Sequence, residues 1–352
     1  MKIRAIRVHR DELGLTRPYT IAYRTVSYSA VVWAEIEADN GMIGIGAANP
    51  SPKVVGETLD DTERVLNEIK DRFIGRSIYQ IRSLCEDVML TTHFPGARAV
   101  LDIGFHDLLG KVVDSPVVDL FGRRHKEMLT SITIGIKGVE ETLEEAKEYA
   151  TGGFRSLKVK LGHSLEEDIA RLARLREHFG NRILIRVDAN QGYSREDLVH
   201  FFKATDTFDL ELIEQPLKYD DLEGMQAVPE DKKALIAADE ALKSPAHAIE
   251  LQRPIPAARI FNIKLMKAGG IYPAMQIADI ARQGGIHLMW GCNDESIVSI
   301  TAALHAAFAC PNTRYLDLDG SLDMATDIVK GGFILKEGMM SIGGESGLGL
   351  FR

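Results

Sequence analysis

The chain has 352 residues, 45% of them hydrophobic, and a formal net charge of −9. That is enough apolar material to bury the core of one large barrel or of two or three smaller domains. The acidic balance, with no block of basic residues, removes any general attraction to phosphate backbones or anionic lipid, so neither nucleic acid nor a membrane is expected as a partner.

Met1 to Arg7 alternates charged and apolar residues as a strand does, and lacks the continuous apolar stretch of a signal peptide. Val31 to Ala38 is rich in strand formers, reaches Asp39-Asn40-Gly41 and resumes as Met42 to Gly46, which predicts a hairpin with an Asn-Gly turn. From about Thr58 to Leu120 the pattern is helical, most clearly where Val100, Leu101, Gly104, Phe105 and Leu108 recur at three- and four-residue spacing. Residues 1–122 therefore read as an α+β capping module, expected to be completed by the C-terminal segment 323–352. The three cysteines, Cys85, Cys292 and Cys310, show no CxxC spacing, and an odd count suits a reducing compartment, so a cytoplasmic protein is expected.

From about residue 128 short apolar strands alternate with amphipathic helices, as in Ile183 to Val187 followed by Arg195 to Thr205, which implies a parallel sheet. Strand ends fall near Thr133, Lys160, Asp188, Glu214, Asp239, Lys264, Cys292 and Asp317, at intervals of 25–28 residues. Eight units of near-constant length predict an α/β fold, a closed (β/α)₈ TIM-type barrel over residues 123–322. The alternative, an open doubly wound sheet, would need a reversal of strand order and would be helped by a Gly-rich phosphate loop, and Gly44-Ile45-Gly46 lacks the third glycine. The uncharged run Ser296 to Cys310 has 15 residues and contains His305, short of the ~20 a membrane span needs, so a buried barrel helix is expected there.

Polar residues recur at the same point of the repeat, the C-terminal strand end where barrel active sites lie. In Leu157-Lys158-Val159-Lys160-Leu161 the two lysines are two apart, so one strand face carries both. Asp188, Glu214 and Asp239 follow on the next three strands, and Asn262-Ile263-Lys264 brings another inward lysine from the strand after them. Three converging carboxylates repel strongly at low dielectric unless a cation neutralises them, and an all-oxygen set without His or Cys favours Mg²⁺, with Mn²⁺ as a substitute. Taken one at a time, an Asp at a strand end caps a helix and a lysine is solvated. Five charged residues in phase with the barrel unit argue for a site. Lys267, three residues after Lys264, falls on another face or in the loop and is given no catalytic role.

In order and spacing, Lys158-Val159-Lys160, Asp188-Ala189-Asn190, Glu214-Gln215-Pro216, Asp239-Glu240 and Asn262 through Gly270 resemble the enolase superfamily, and within it the muconate-lactonising-enzyme-like group with its Lys-x-Lys on the second barrel strand. The resemblance covers essentially the whole chain. It implies Mg²⁺ at Asp188, Glu214 and Asp239, acid/base lysines at Lys160 and Lys264, and Lys158 near the substrate carboxylate. Enolase-superfamily sites pair such a base with Mg²⁺ that stabilises an ene-diolate. Physically, removing a proton beside a carboxylate adds a second negative charge, which a bound metal and Lys158 offset. Lysines flanking a metal also have depressed pKa values, which suits a base near neutral pH. A base on each face makes epimers the natural products.

On the eighth strand, Arg314-Tyr315-Leu316-Asp317-Leu318-Asp319 places Asp317 and Asp319 on one face, a pair suited to a substrate ammonium group. Here the sequence resembles the dipeptide epimerases of the group, whose Asp-x-Asp motif binds the dipeptide's α-ammonium. By that resemblance Thr133 and Cys292 touch substrate, and the reacting carbon is the α-carbon of the C-terminal residue. Cys292 departs in residue type, and a small buried filler is its plain alternative. Tyr19 to Tyr28 is the expected lid loop, in which Arg24 looks like the arginine that recognises an acidic side chain in L-Ala-D/L-Glu epimerases. Asp294 and Glu295 on the seventh strand point the other way, to a cationic side chain. The alternatives within the fold are o-succinylbenzoate synthase, N-succinylamino-acid racemase and muconate cycloisomerase, none of which needs a carboxylate pair for an ammonium group. A barrel kept only for binding or structure would tolerate loss of a lysine or ligand, and none is missing. A homo-oligomer is expected because barrels commonly form them.

Overall fold

The computed structural model describes residues 1–21, 24–50 and 52–352, with the backbone alone for 17–21 and 24–27. The chain opens with an antiparallel sheet in the order β1 (Ile3–Ile21), β2 (Arg24–Ala38), β3 (Ile43–Ala48). Between β2 and β3 lies the expected Asn40-Gly41 turn: Gly41 takes φ 86°, which favours glycine, and Asn40 Oδ1 accepts from the Met42 amide at 3.1 Å. Where a lid loop was expected, the ladder of β1 and β2 resumes past a register shift between Gly14 and Tyr19, with Tyr19 opposite Val26 and Ile21 opposite Arg24. The β-branched and aromatic residues there suit a continued ladder.

Gly44-Ile45-Gly46 has a packing role. A Cβ on Gly44 would stand 2.3 Å from Gly104 O, and one on Gly46 1.9 Å from Val100 O, so both glycines let β3 lie directly on the Pro95–Val112 helix. On the same helix, buried Asp107 accepts from the amides of Ile45 and Leu348, both at 2.8 Å, tying β3 to the C-terminal segment. That segment also bridges Met324 to Leu15 and pairs Met339–Ser341 with β4 (Glu127–Leu129).

Eight parallel strands follow in sequence order: β5 (Ile132–Ile134), β6 (Ser156–Lys160), β7 (Leu184–Asp188), β8 (Leu210–Glu214), β9 (Ile236–Ala238), β10 (Ile260–Ile263), β11 (His287–Gly291) and β12 (Thr313–Asp317). A parallel bridge between Thr130 and Leu316, with the Ser131 amide donating to Leu316 O at 3.1 Å, joins the last strand to the first and closes the barrel. Inside, Leu212, Ala237, Ile260, Met289 and Tyr315 form an apolar layer separate from the larger core between strands and helices. Two residues further along four of those strands stand Glu214, Asp239, Asn262 and Asp317, so strand alternation alone lifts the polar set onto a packed floor. Among the described residues no helix is long and apolar enough to cross a membrane.

The Ile297–Ala309 helix carries buried His305, whose Nδ1 accepts from the Val118 amide at 3.0 Å. Burial, with Arg123 nearby, pulls its pKa down to about 3. The folded state therefore holds it neutral. Its stabilisation is complete above the ordinary histidine pKa of about 6.5 and is lost as pH falls toward 3, by about 1.4 kcal/mol per pH unit. His305→Asn, which keeps an acceptor without a titrating group, should remove about 2 kcal/mol of the stability change between pH 6.5 and 5 in urea unfolding. Parallel pH curves for the two proteins would refute this.

Candidate active site

The predicted set converges at the C-terminal mouth of the barrel. Lys160, Asp188, Glu214 and Asp317 close their strands, and Asp239, Lys264 and Cys292 each lie one residue past a strand end. Around them Asn190, Gln191 and Gln215 take positive φ angles of 43°, 66° and 35°, a concentration of backbone strain typical of functional sites.

Strand order sets the layout. Lys160 on β6 donates to Asp188 Oδ2 at 2.6 Å and Lys264 after β10 donates to Asp239 Oδ2 at 2.9 Å, with Glu214 on the strand between those two carboxylates. A row of three carboxylates thus has a lysine at each end. Lys158 is buried below, its Nζ 2.7 Å from Asp317 Oδ2, 2.7 Å from Glu214 Oε2 and 3.2 Å from Asp188 Oδ2.

These buried charges divide in protonation. Burial disfavours the Asp188 carboxylate, but Lys160 and Lys158 outweigh it and hold its pKa down at about 2. Burial and then Asp188 push Glu214 the other way, up to about 8. Burial likewise opposes the Lys264 ammonium, yet Asp239 and Glu214 raise its pKa above the ordinary lysine value. The depression expected of a lysine beside a metal is therefore absent while its partners are free carboxylates; it requires that their charge be neutralised first.

On the eighth strand the two aspartates differ. Asp317, 2% exposed, accepts from Lys158 Nζ and, at 2.6 Å, from Ser131 Oγ, so it faces the barrel interior. Asp319 Oδ2 accepts from the Thr133 amide at 2.7 Å, and burial followed by Asp317 pushes its pKa up to about 6. Cys292 Sγ lies 3.2 Å from Asp317 O and accepts from the Gly320 amide at 3.3 Å, bracing the last two strand ends. Its thiol is pushed well above the ordinary range by burial. Asp294 is exposed and its carbonyl accepts from Ser29 Oγ of β2 at 2.9 Å, while Glu295 is 2% exposed and pushed by burial up to about 7. The Arg24 side chain and Tyr23 lie outside the described residues.

Residues 141–351 match the enolase C-terminal domain-like family, and residues 3–122 match the N-terminal domain of the mandelate racemase / muconate lactonizing enzymes. The chain belongs to the enolase superfamily. Within the superfamily it is 50% identical to the L-Lys-D/L-Arg epimerase of Desulforapulum autotrophicum, with 100% of both chains covered. The dipeptide epimerase of Methylococcus capsulatus, solved with Mg and L-Arg-D-Lys, superposes with a TM-score of 0.97 at 46% identity over 100% of each chain. The L-Ala-D/L-Glu epimerase of Bacillus subtilis is 32% identical, covering 99% of this chain and 97% of that one.

The donor set fits the Mg²⁺ of the superfamily. Asp188, Glu214 and Asp239 offer only hard oxygen donors, and buried Glu214 Oε2 receives no directed hydrogen bond even with Lys158 Nζ at ion-pair distance. Residues given no role on sequence grounds support these carboxylates. Lys267 is buried, with Nζ donating to Asp239 Oδ1, to Asp239 O at 2.6 Å and to Asn262 O at 3.2 Å, so all three ammonium protons are used. Asn262 Nδ2 donates to Glu214 Oε1 at 2.8 Å. Gln215 Oε1 accepts from the Asp239 amide at 3.0 Å. For Asn262 the signal was its place two before Lys264 on an inward face; for Lys267 no strand rule applied, because the chain turns helical at Leu265.

Proposed function

We propose that the chain is a Mg²⁺-dependent epimerase of cationic dipeptides, inverting the α-carbon of the C-terminal residue by proton transfer between Lys160 and Lys264. The observation that carries this is the arrangement of those two lysines at opposite ends of the Asp188, Glu214, Asp239 row. Bound by these carboxylates, Mg²⁺ supplies positive charge against the second negative charge that deprotonation places on the substrate carboxylate. Lys158 adds a buried ammonium on the same side. One lysine removes the α-proton from its face and the other delivers a proton from the opposite face, giving inversion. Asp319 accepts the dipeptide's α-ammonium, with Thr133 and Cys292 holding that corner and Asp317 beneath it.

Two features support a cationic side chain: the 50% identity to an L-Lys-D/L-Arg epimerase and exposed Asp294 on the loop after β11, while Glu295 is turned inward onto the Asn293 amide. Arg24, the cue for an acidic side chain, weighs less because the L-Ala-D/L-Glu relative is only 32% identical. In steady-state assays kcat/KM for L-Lys-L-Arg should exceed that for L-Ala-L-Glu by about a hundredfold, and Asp294→Asn should narrow the gap, since charge-assisted contacts contribute ~1.5–3 kcal/mol each. Preference for L-Ala-L-Glu would overturn this specificity.

The state of Asp319 sets an acid limb. With its pKa raised to about 6, the carboxyl of the free enzyme is ionised above that pH and protonated below it, so kcat/KM should fall up to tenfold per unit as pH drops below about 6. Asp319→Asn should raise KM by roughly tenfold or more and remove that limb. An unchanged limb in the variant would assign it to another group.

A further inference from the structure

The turn that carries Lys264 is held from outside the barrel. After β10 the chain forms one helical turn, Leu265–Ala268, in which the Lys267 and Ala268 amides both donate to Lys264 O at 3.0 Å. Gly269 and Gly270 follow, and the Ile271–Gln283 helix begins at once. The first two amides of that helix, Ile271 and Tyr272, donate to the carboxylate of Asp102 at 2.5 and 3.2 Å. Asp102 is 2% exposed and lies on the Pro95–Val112 helix of the N-terminal module, 169 residues away in sequence.

The two glycines make this approach feasible. A Cβ on Gly270 would sit 2.4–2.5 Å from the Asp102 carboxyl group, and one on Gly269 3.1 Å from Arg98, which the carbonyls of Thr92 and Met89 hold at 2.6 and 2.8 Å. Both also take positive φ, 95° and 116°. Their amides donate back to Leu265 O at 2.8 and 3.1 Å, so the segment from Lys264 to Ile271 is a closed turn pressed against one face of the N-terminal helix. His106 Nδ1 lies 3.3 Å from Asp102 Oδ1 and 2.8 Å from Asp102 O, fixing the carboxylate from behind. Cys85 completes this buried group, but its thiol is pushed well above the ordinary range by burial and the Asp102 oxygens are already engaged by backbone amides, which argues for a brace and against a metal site.

We propose that Asp102 is a positioning residue for Lys264: from the N-terminal module it fixes the turn on which that lysine is carried, and so sets proton transfer on one face of the substrate only. Among the described residues, none links Lys160, on a strand at the far end of the carboxylate row, to Asp102 in this way. The inference rests on the two-lysine reading above.

The test is α-proton exchange in D₂O, followed by NMR with Mg²⁺, on L-Lys-L-Arg and L-Lys-D-Arg separately. Lys160→Ala should abolish exchange from one diastereomer and Lys264→Ala from the other. Asp102→Ala should lower exchange from the Lys264-served diastereomer by about tenfold to a hundredfold, as a small misplacement of a reacting group does, and leave the other within about threefold. Asp102→Asn, which keeps one acceptor oxygen, should show a smaller loss with the same asymmetry, and is the variant to read if Asp102→Ala does not fold. Equal loss from both diastereomers, or loss from neither, with the lysine variants behaving as stated, overturns the Asp102 assignment alone. If the lysine variants do not divide the exchange between diastereomers, the two-lysine reading fails and the Asp102 assignment with it.

Discussion

Lys160→Ala and Lys264→Ala should each abolish epimerisation while leaving Mg²⁺ binding intact. Each lysine stands at one end of the carboxylate row and pairs with a different carboxylate, Asp188 or Asp239, so neither can do the other's work. Positioned general acids and bases contribute about 10²–10⁴-fold, and inversion needs both, so the loss in kcat should be at least of that order in each variant. Lysine replacement removes a cation from beside the carboxylates, so calorimetric Mg²⁺ affinity should hold or increase. Near-normal epimerisation by either variant would remove the two-base assignment.

Glu214→Gln should separate metal binding from folding. Because burial and Asp188 raise the Glu214 pKa to about 8, the metal-free carboxyl holds a proton at neutral pH, and a neutral isostere replaces it at little cost. The Gln amide oxygen can face Lys158 Nζ, which lies 2.7 Å from Glu214 Oε2, with its NH2 toward Asn262, whose otherwise unpartnered Oδ1 accepts it once that amide flips. The metal-free variant should therefore melt within about 2 °C of the parent, on a scale where 1 kcal/mol moves a large domain by ~2–4 °C. Mg²⁺ in hundredfold excess over its Kd stabilises a protein by about 2.7 kcal/mol, and that increment, with all activity, should vanish in the variant. A preserved Mg²⁺-induced shift in Tm would place the ion elsewhere.

The parts of this molecule readable from sequence are those governed by short periods. The two-residue alternation in Lys158-Val159-Lys160 and the 25–28-residue spacing of strand ends are local rules, and the barrel and its charged mouth follow from them. What escaped is long-range or falls where a period breaks. Asp102 and Ile271 meet across 169 residues, and nothing near Asp102 announces a partner. Lys267 was dismissed because strand alternation was carried past Ile263, where the chain has already turned helical and swings its ammonium back onto Asp239. Asp317 and Asp319 do share a face, but the i, i+2 rule cannot say that the first is taken by Lys158 and Ser131 while the second meets the Thr133 amide. The expected lid loop falls where β1 and β2 pair again, Tyr19 opposite Val26, past a register shift after Gly14 that no short period in the sequence announces.

On the proposed reading, the two lysines and the carboxylate row act on the C-terminal α-carbon of a cationic dipeptide. The most direct test of that reading is proton NMR of a mixed L,L-dipeptide library in D₂O with the enzyme and Mg²⁺, following loss of α-protons and appearance of diastereomer signals. Exchange and inversion are expected at the C-terminal α-carbon of dipeptides ending in Arg or Lys, and none without Mg²⁺. No exchange in any dipeptide, together with exchange in N-succinylamino acids, would contradict the ammonium-binding role of Asp319 and the dipeptide assignment.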